Sequence, residues 1–211
     1  MRRALGIVFV AGGVFMLSLA ATRYAEGAIA ADGARQEWDE HAARRTVMFA
    51  RSFATHYDRV PIAEGTPVAR LVIPKIGLDE IVLEGVDGED LNAGPGHLAG
   101  TALPGERGNS VISAHRDRHF KHFDEIHVGD TITTESPARR NHWVVISTRV
   151  VDADAPALFR TPDATLTLTT CWPIRYVGTA PERLIVTAKP VRAPGAPMRA
   201  APTVQSAEVS P

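Results

Sequence analysis

The pattern of hydrophobic and polar residues divides the chain into four parts. An uncharged apolar run extends from Ala4 to Thr22, and an alanine- and charge-rich part with helical patterning follows it. From Val68 onward, short β-branched runs alternate with turn residues. Short strands joined by turns are typical of closed or sandwiched β folds, so this part predicts a mainly β domain with brief helices.

The boundaries between these parts follow changes in composition. We place an apolar N-terminal segment at residues 1–23, a helical stalk at 24–65, the β domain at 66–190 and a tail at 191–211. The tail is rich in proline and alanine and is predicted to be disordered. Within the β domain, strands are predicted at 68–73, 80–83, 109–115, 130–135, 142–151, 165–171 and 183–191, with a loop or helical turn at 90–100 and short helices at 119–126 and 154–160.

The N-terminal apolar run has about the length that a helix needs to span a bilayer. Arg2 and Arg3 precede it, and paired basic residues favour a cytoplasmic N-terminus with the remaining chain exported. The length of the run favours an uncleaved signal anchor. A signal peptide cleaved near Leu19-Ala20-Ala21 is the alternative.

Composition narrows the possible functions. The formal net charge is −1, so the chain lacks the basic character of nucleic-acid-binding domains. Its one cysteine, Cys171, cannot form an intramolecular disulfide. In an exported domain, where thiols tend to oxidise, an unpaired thiol invites a functional explanation, although most lone cysteines are small buried hydrophobes.

Strand alternation predicts where the Cys171 side chain lies. If Leu166 and Leu168 face the core, Cys171 lies on the opposite face of the same strand. Twelve residues later, Arg183 opens another strand and lies on the face opposite its apolar positions, which are Leu184, Val186 and Ala188. We expect these two strands to be neighbours, which places the thiol and the guanidinium close together on their non-core side. A thiol outside the core and near a fixed positive charge is typical of a reactive cysteine.

Nucleophilic catalysis by a thiol also needs a proton carrier. The chain has eight histidines. His115 is the favoured candidate because it ends a predicted strand at the junction with a loop, where functional side chains are often displayed. His119, His122 and His127 surround a predicted short helix and are interpreted as surface positions, and His41 and His56 are interpreted as solvated positions of the stalk. His97 and His142 are interpreted as surface or hydrogen-bonded structural positions.

These residues resemble the motifs of the sortases, the membrane-anchored cysteine transpeptidases of bacteria. Thr167-Leu168-Thr169-Thr170-Cys171 resembles their TLxTC signature, and Ser113-Ala114-His115-Arg116-Asp117 resembles their histidine motif. Arg183 stands where the sortase arginine is expected. The resemblance covers roughly residues 66–190 and the N-terminal anchor, and it is closest to class D.

Flanking segments extend the resemblance. Gly94-Pro95-Gly96-His97 and Thr101-Ala102-Leu103-Pro104-Gly105 resemble the sequence upstream of the sortase histidine, and residues 171–178 resemble the sequence downstream of the cysteine. The chain departs from the family at Ala114, where glycine is frequent, and at Ile174, where class D members usually carry an aromatic residue. Arg175 lies nearer the cysteine in sequence and is an alternative to Arg183 for the arginine role.

The resemblance implies a closed β-barrel of about eight strands with short helices, behind a transmembrane helix and a helical stalk. It further implies that Cys171 attacks a sorting signal of the Leu-Pro-x-Thr-Gly/Ala kind after Thr and forms a thioester. An amine of the cell wall or of another protein then accepts the acyl group. Arg183 would stabilise the oxyanion, and His115 would carry the proton.

The same resemblance places the protein in the bacterial cytoplasmic membrane as a single-pass protein, with its catalytic domain outside the cytoplasm. Its expected partners are a sorting-signal protein, an amine acceptor and the membrane, but not nucleic acid. Thr170 is expected to support the substrate groove. No cofactor is predicted. No metal site is predicted either, because the acidic residues Asp87, Glu89 and Asp90 are interpreted as part of a solvated loop.

Other functions remain open at this point. A hydrolytic cysteine peptidase would form the same thioester and use water as the acceptor. An anchored β domain that binds partners would hold Cys171 as a structural residue. An L,D-transpeptidase would need a glycine-rich cysteine motif that the sequence lacks.

Overall fold

The computed structural model describes residues 2–40, 61–88, 90–136, 139–153, 161–176 and 178–191. Several sequence predictions lie outside these ranges and stay predictions. They are the second half of the stalk with His41 and His56, the short helix at 154–160, the acidic residue Glu89 and the tail beyond Val191.

Eight strands form the body of the protein and close into a barrel. They are Pro67–Ile73 (β1), Leu78–Glu84 (β2), Gly96–His97 (β3), Asn109–Ser113 (β4), Thr131–Glu135 (β5), Arg140–Asp152 (β6), Thr165–Trp172 (β7) and Glu182–Pro190 (β8). Their order around the barrel is β1-β2-β3-β4-β7-β8-β6-β5, and β5 pairs back onto β1. The pairs β2–β3 and β4–β7 are parallel and the others are antiparallel. The predicted mainly β fold and the closed barrel are therefore confirmed.

Among the residues that the structure describes, helical structure is sparse outside the N-terminus. One long helix, α1, spans Arg2–Glu40, and a short helix, α2, spans Asp90–Ala93. Single 3-10 turns occupy Pro74–Ile76 and Phe123–Glu125. Among the described residues, no helix combines the length and the apolar character needed to cross a membrane.

The core lies inside the barrel and follows the strand alternation. Leu166 and Leu168 are fully buried in it, as the sequence predicts. Trp143 is also fully buried and donates its indole N–H to the Thr134 hydroxyl at 2.8 Å, so its one polar group is satisfied. Phe120 and Phe123 stack in the same core with ring centroids 4.4 Å apart, which fixes the chain after β4 against the barrel.

The second half of α1 packs against the outside of the barrel. Trp38 is buried in a small cluster with Ile81, Leu83 and Ala93. Gly27 allows the helix to approach closely, because a Cβ atom there would lie 2.7 Å from the carbonyl oxygen of Asn92. The described part of the stalk is therefore a helix over residues 24–40 that docks on the barrel, and a non-helical turn at 61–65.

An ion-pair network joins α1 to the loop after β4. Glu80 of β2 lies 3.2 Å from the guanidinium of Arg35 on α1 and 3.6 Å from the imidazole of His119. Burial raises the pKa of the Glu80 carboxyl, but the neighbouring His119 and Arg35 outweigh burial and hold that pKa below its usual value. Glu80 thus stabilises the folded state as a carboxylate.

This network predicts a pH dependence of stability. A carboxyl group whose pKa is lower in the folded state stabilises that state above its ordinary pKa, and the contribution is lost as pH falls through the folded-state pKa. We expect the Tm of the wild type to fall more steeply than that of Glu80→Gln as pH is lowered through the carboxyl range. The control is Glu64→Gln, at an exposed position. Parallel Tm curves for wild type and Glu80→Gln would contradict the prediction.

Candidate active site

The thiol and the guanidinium singled out from the sequence lie on adjacent strands. Cys171 and Arg183 are directly opposite each other in the antiparallel β7–β8 ladder. Side chains of such partners leave the same face, with Cβ atoms about 4.5–5.5 Å apart. Both residues are partly buried, whereas the preceding pair, Thr170 and Leu184, is buried. The predicted neighbourhood and the predicted faces are confirmed.

His115 lies just beyond the end of β4, on the other side of β7. The parallel β4–β7 ladder ends with Ser113 opposite Thr169, and the N–H of Ala114 then donates to the Thr169 carbonyl at 3.2 Å. His115 and Cys171 are each two residues past the final pair, so they lie at the same level of the barrel. In the order β4-β7-β8, the strand of Cys171 lies between β4, which leads to His115, and β8, which contains Arg183.

Thr170 links the strand of the cysteine to the segment that leads to the histidine. Its side chain is buried, and its hydroxyl donates to the Ala114 carbonyl at 2.7 Å. This contact fixes the backbone one residue before His115 relative to the backbone one residue before Cys171.

The two candidate arginines occupy different environments. Arg183 is partly buried beside Cys171, and its Nη1 donates to the Glu182 carbonyl at 3.0 Å. Arg175 is exposed in the loop between β7 and β8. The preceding residue, Ile174, is buried in the core. The isoleucine that replaces the usual class D aromatic residue therefore serves in packing.

The other described histidines have partners away from Cys171. His97 is almost fully buried, with Nδ1 2.6 Å from Glu84 and Nε2 3.0 Å from the Ala102 carbonyl, so it joins β3 to its surroundings. His142 lies 3.2 Å from the Thr133 hydroxyl, and His122 lies 2.9 Å from Glu125 on the surface. His127, also exposed, lies 2.8 Å from the carbonyl of Glu125.

His119 corrects the sequence interpretation, which placed it on the surface. Its side chain is 8% exposed and faces Glu80 from the loop after His115. A sequence pattern offers no sign of this burial, because the partner lies on β2, far away in the chain.

The loop after His115 is held at further points that sequence patterns did not reveal. Arg118 donates to the Asn92 carbonyl at 2.7 Å, and its guanidinium lies 5.0 Å from the ring centroid of Tyr24 on α1. Arg116 donates to carbonyls of the β7–β8 loop. In the part of the chain that the structure describes, no three His, Cys, Asp or Glu residues are grouped to hold a metal ion.

Comparison with known proteins agrees with this geometry. The family model described as the sortase domain matches residues 71–191, more than half of the chain. Sortase D of Bacillus subtilis (strain 168) is 36% identical over 123 residues, which cover 57% of this chain and 62% of that protein. The match thus spans less than two thirds of the length of this curated relative.

Solved structures show the same fold. A sortase D5 transpeptidase of Clostridium perfringens matches with a TM-score of 0.66 and 25% identity, covering 77% of this chain and 99% of the other. The catalytic domain of SrtD from B. anthracis matches with a TM-score of 0.54 and 30% identity, covering 66% of this chain and 97% of the other. Sortase C-1 of Actinomyces oris matches with a TM-score of 0.58 and 26% identity, covering 73% of this chain and 99% of the other. The chain belongs to the sortase family, and its sequence similarity to sortase D makes it class D-like.

Proposed function

We propose that this protein is a cysteine transpeptidase that cleaves a Leu-Pro-x-Thr-Gly/Ala-like sorting signal after Thr and transfers the protein to an amine. The observation that carries the proposal is the placement of Cys171 opposite Arg183, on the strand next to the one leading to His115. The catalytic domain is assigned to residues 66–190, and the sortase family match at 71–191 supports this range.

Cys171 is the nucleophile of this mechanism. Its thiolate attacks the carbonyl carbon of the Thr residue, and the carbonyl electrons move to oxygen to form a tetrahedral oxyanion. The oxyanion collapses, the C–N bond breaks, and the C-terminal part of the signal leaves as an amine. A thioester then joins Cys171 to the rest of the substrate.

Arg183 stabilises the oxyanion by charge-assisted hydrogen bonds from its guanidinium. Its position opposite Cys171 supports this role, because the oxyanion oxygen forms on the carbon atom that bonds the sulfur. Arg175 is the less favoured alternative because it is exposed in the connecting loop.

His115 moves the protons. It donates a proton to the departing amine during thioester formation and takes one from the incoming amine when that amine attacks the thioester. The second step forms the new amide and returns Cys171 to the thiolate. Water in place of the amine would give hydrolysis, so a hydrolytic peptidase shares every residue of this mechanism.

The reaction can be tested with the full chain in detergent and a panel of Leu-Pro-x-Thr-Gly/Ala peptides, with and without an amine. Mass spectrometry is expected to detect an acyl adduct on Cys171 and an amine-ligated product. An adduct that yields only hydrolysis product in the presence of amine would instead support the peptidase. The absence of any adduct, together with a Cys171 that resists alkylation in the folded protein, would favour a binding domain with a structural cysteine.

The role of Arg183 predicts a large effect of its removal. We expect Arg183→Ala to lower kcat for peptide cleavage by about 10²–10³-fold, the usual cost of removing an oxyanion donor. The matched control is Arg175→Ala, which removes the same charge from the adjoining loop and is expected to change kcat by less than about threefold. A larger loss in Arg175→Ala than in Arg183→Ala would transfer the role to Arg175.

Thr170 acts as a positioning residue in this proposal, through its hydrogen bond to Ala114. We expect Thr170→Val to lower kcat by about tenfold, because it loosens the link between the strands leading to Cys171 and His115. Thr170→Ser keeps the hydroxyl and is expected to restore most of the rate. Equal rates for the valine and serine variants, measured at matched folded fraction, would contradict the prediction.

We further propose that the N-terminal half of α1 attaches the enzyme to the bacterial cytoplasmic membrane with the barrel outside. The support is the uncharged run from Ala4 to Thr22 behind Arg2 and Arg3. Large apolar side chains on this part of the helix are also exposed, including Phe9, Phe15 and Leu17. Membrane fractionation is expected to find the intact chain in the membrane fraction. Protease added to the outside of the cells, after removal of the cell wall, is then expected to digest the barrel. A cleaved chain in the soluble fraction would overturn the anchor.

A further inference from the structure

The loop between β7 and β8 joins the strand of Cys171 to the strand of Arg183. It starts after Trp172 and ends before Glu182. Ile174 and Ala180 are buried near its two ends. The described residues between them are exposed: Arg175, Tyr176, Gly178 and Thr179.

Arg116, the residue after His115, contacts this exposed part of the loop. Its Nη2 donates to the carbonyl of Tyr176 at 3.0 Å and to the carbonyl of Gly178 at 2.7 Å, and its Nη1 donates to the carbonyl of Pro173 at 3.3 Å. Its guanidinium also lies 5.7 Å from the ring centroid of Tyr176. One side chain therefore binds three backbone groups and one aromatic ring of the loop.

The contacts of Arg116 add to the interactions that hold Cys171, Arg183 and His115 relative to one another. Ladder hydrogen bonds between β7 and β8 already fix Cys171 relative to Arg183. His115 lies past the end of the β4–β7 ladder, where regular pairing has stopped. Arg116 connects the backbone next to His115 to the loop that joins the other two residues.

We infer that Arg116 is a positioning residue that holds the β7–β8 loop and the His115 backbone in one arrangement. The guanidinium suits this role because it is always charged and presents donors in a planar fork. Lysine keeps the charge, but its single ammonium cannot reproduce a planar fork that reaches three separate carbonyls. The effect on rate rests on the proposed function, whereas the effect on the loop does not.

The test compares Arg116→Lys in the full chain with Arg107→Lys, a matched change at an exposed arginine in another loop. The first measurement needs no substrate. Limited trypsin treatment of the folded protein, followed by mass spectrometry, gives the rate of cleavage after Arg175. We expect Arg116→Lys to raise this rate about tenfold, because cleavage requires the loop to open, while Arg107→Lys leaves it unchanged.

The second measurement is steady-state transfer with a peptide that the wild type uses. We expect Arg116→Lys to lower kcat about tenfold and to leave KM within about twofold, because the misplaced groups act in the chemical step. A role limited to global stability would instead appear in the Tm and would leave kcat unchanged at temperatures where the variant is folded. Arg116→Gln, which keeps two donors, is expected to give the same two effects and serves as a second variant if the lysine variant does not fold.

The outcomes separate this inference from the proposed function. A wild type that transfers no peptide would count against the proposed function, and the trypsin cleavage rate alone would then decide the structural part. Equal cleavage rates in the Arg116 and Arg107 variants would overturn the inference. Faster cleavage with unchanged kcat, or a loss confined to KM, would also overturn the positioning role.

Discussion

Replacing Cys171 with alanine is expected to eliminate both the acyl-enzyme and the transfer product. The proposed reaction passes through a thioester on this sulfur, and the chain holds one cysteine, so no second thiol can substitute. Removing a nucleophile typically costs about 10⁴-fold or more in kcat. Intact-mass measurement after incubation with peptide is expected to show the adduct in the wild type and no adduct in Cys171→Ala.

Cys171→Ser is the more stringent control because it changes one atom and keeps the size of the side chain. A serine hydroxyl is a weak nucleophile at its free pKa, so this variant is also expected to lose turnover. Both variants should keep the wild-type Tm within a few degrees, because Cys171 is only partly buried and lies outside the core cluster. Turnover that persists in Cys171→Ala would rule out the thioester mechanism.

Replacing His115 with glutamine is expected to lower kcat by about 10²–10⁴-fold, the usual contribution of a positioned acid–base group. Glutamine keeps a hydrogen-bonding side chain but cannot titrate. The departing amine would therefore leave without a proton donor. The measurement is the rate of peptide cleavage in single-turnover conditions, which isolates thioester formation.

The control for this change is His122→Gln, since His122 lies in the same loop region but pairs with Glu125 on the surface. It is expected to leave kcat within about twofold. His97 is unsuitable as a control, because its buried contact with Glu84 makes its removal a change in stability. Similar losses in the His115 and His122 variants would contradict the assignment of the proton carrier.

Local patterns predicted the strands of the site because residues of the main core cluster recur in them with a period of two. In β7, Leu166 and Leu168 alternate with threonines and belong to the core cluster, so the position of Cys171 on the opposite face follows from strand alternation. The same reasoning applies to Leu184, Val186 and Ala188 in β8. The prediction therefore succeeded where alternate residues of a strand enter the same core.

Predictions failed where structure depends on remote partners. The strand β3 consists of Gly96 and His97 and pairs with β2 and β4, so its two residues carry no pattern of their own. A side chain at Gly96 would collide with the backbone of Gly85, which explains why this position needs glycine. The helix expected at 119–126 is a single 3-10 turn over Phe123–Glu125, with Phe120 and Phe123 anchored in the core.

The sequence by itself determined the fold class, the nucleophile candidate and the candidate proton carrier, because strand alternation and motif order are local properties. Only the tertiary structure decided the complete order of the strands around the barrel, which places the strand of Cys171 between β4 and β8. It alone revealed the contacts of Arg116 with the β7–β8 loop and of Glu80 with Arg35 and His119. Each of these contacts joins residues far apart in the chain, and barrel closure, which local pattern does not encode, brings them together.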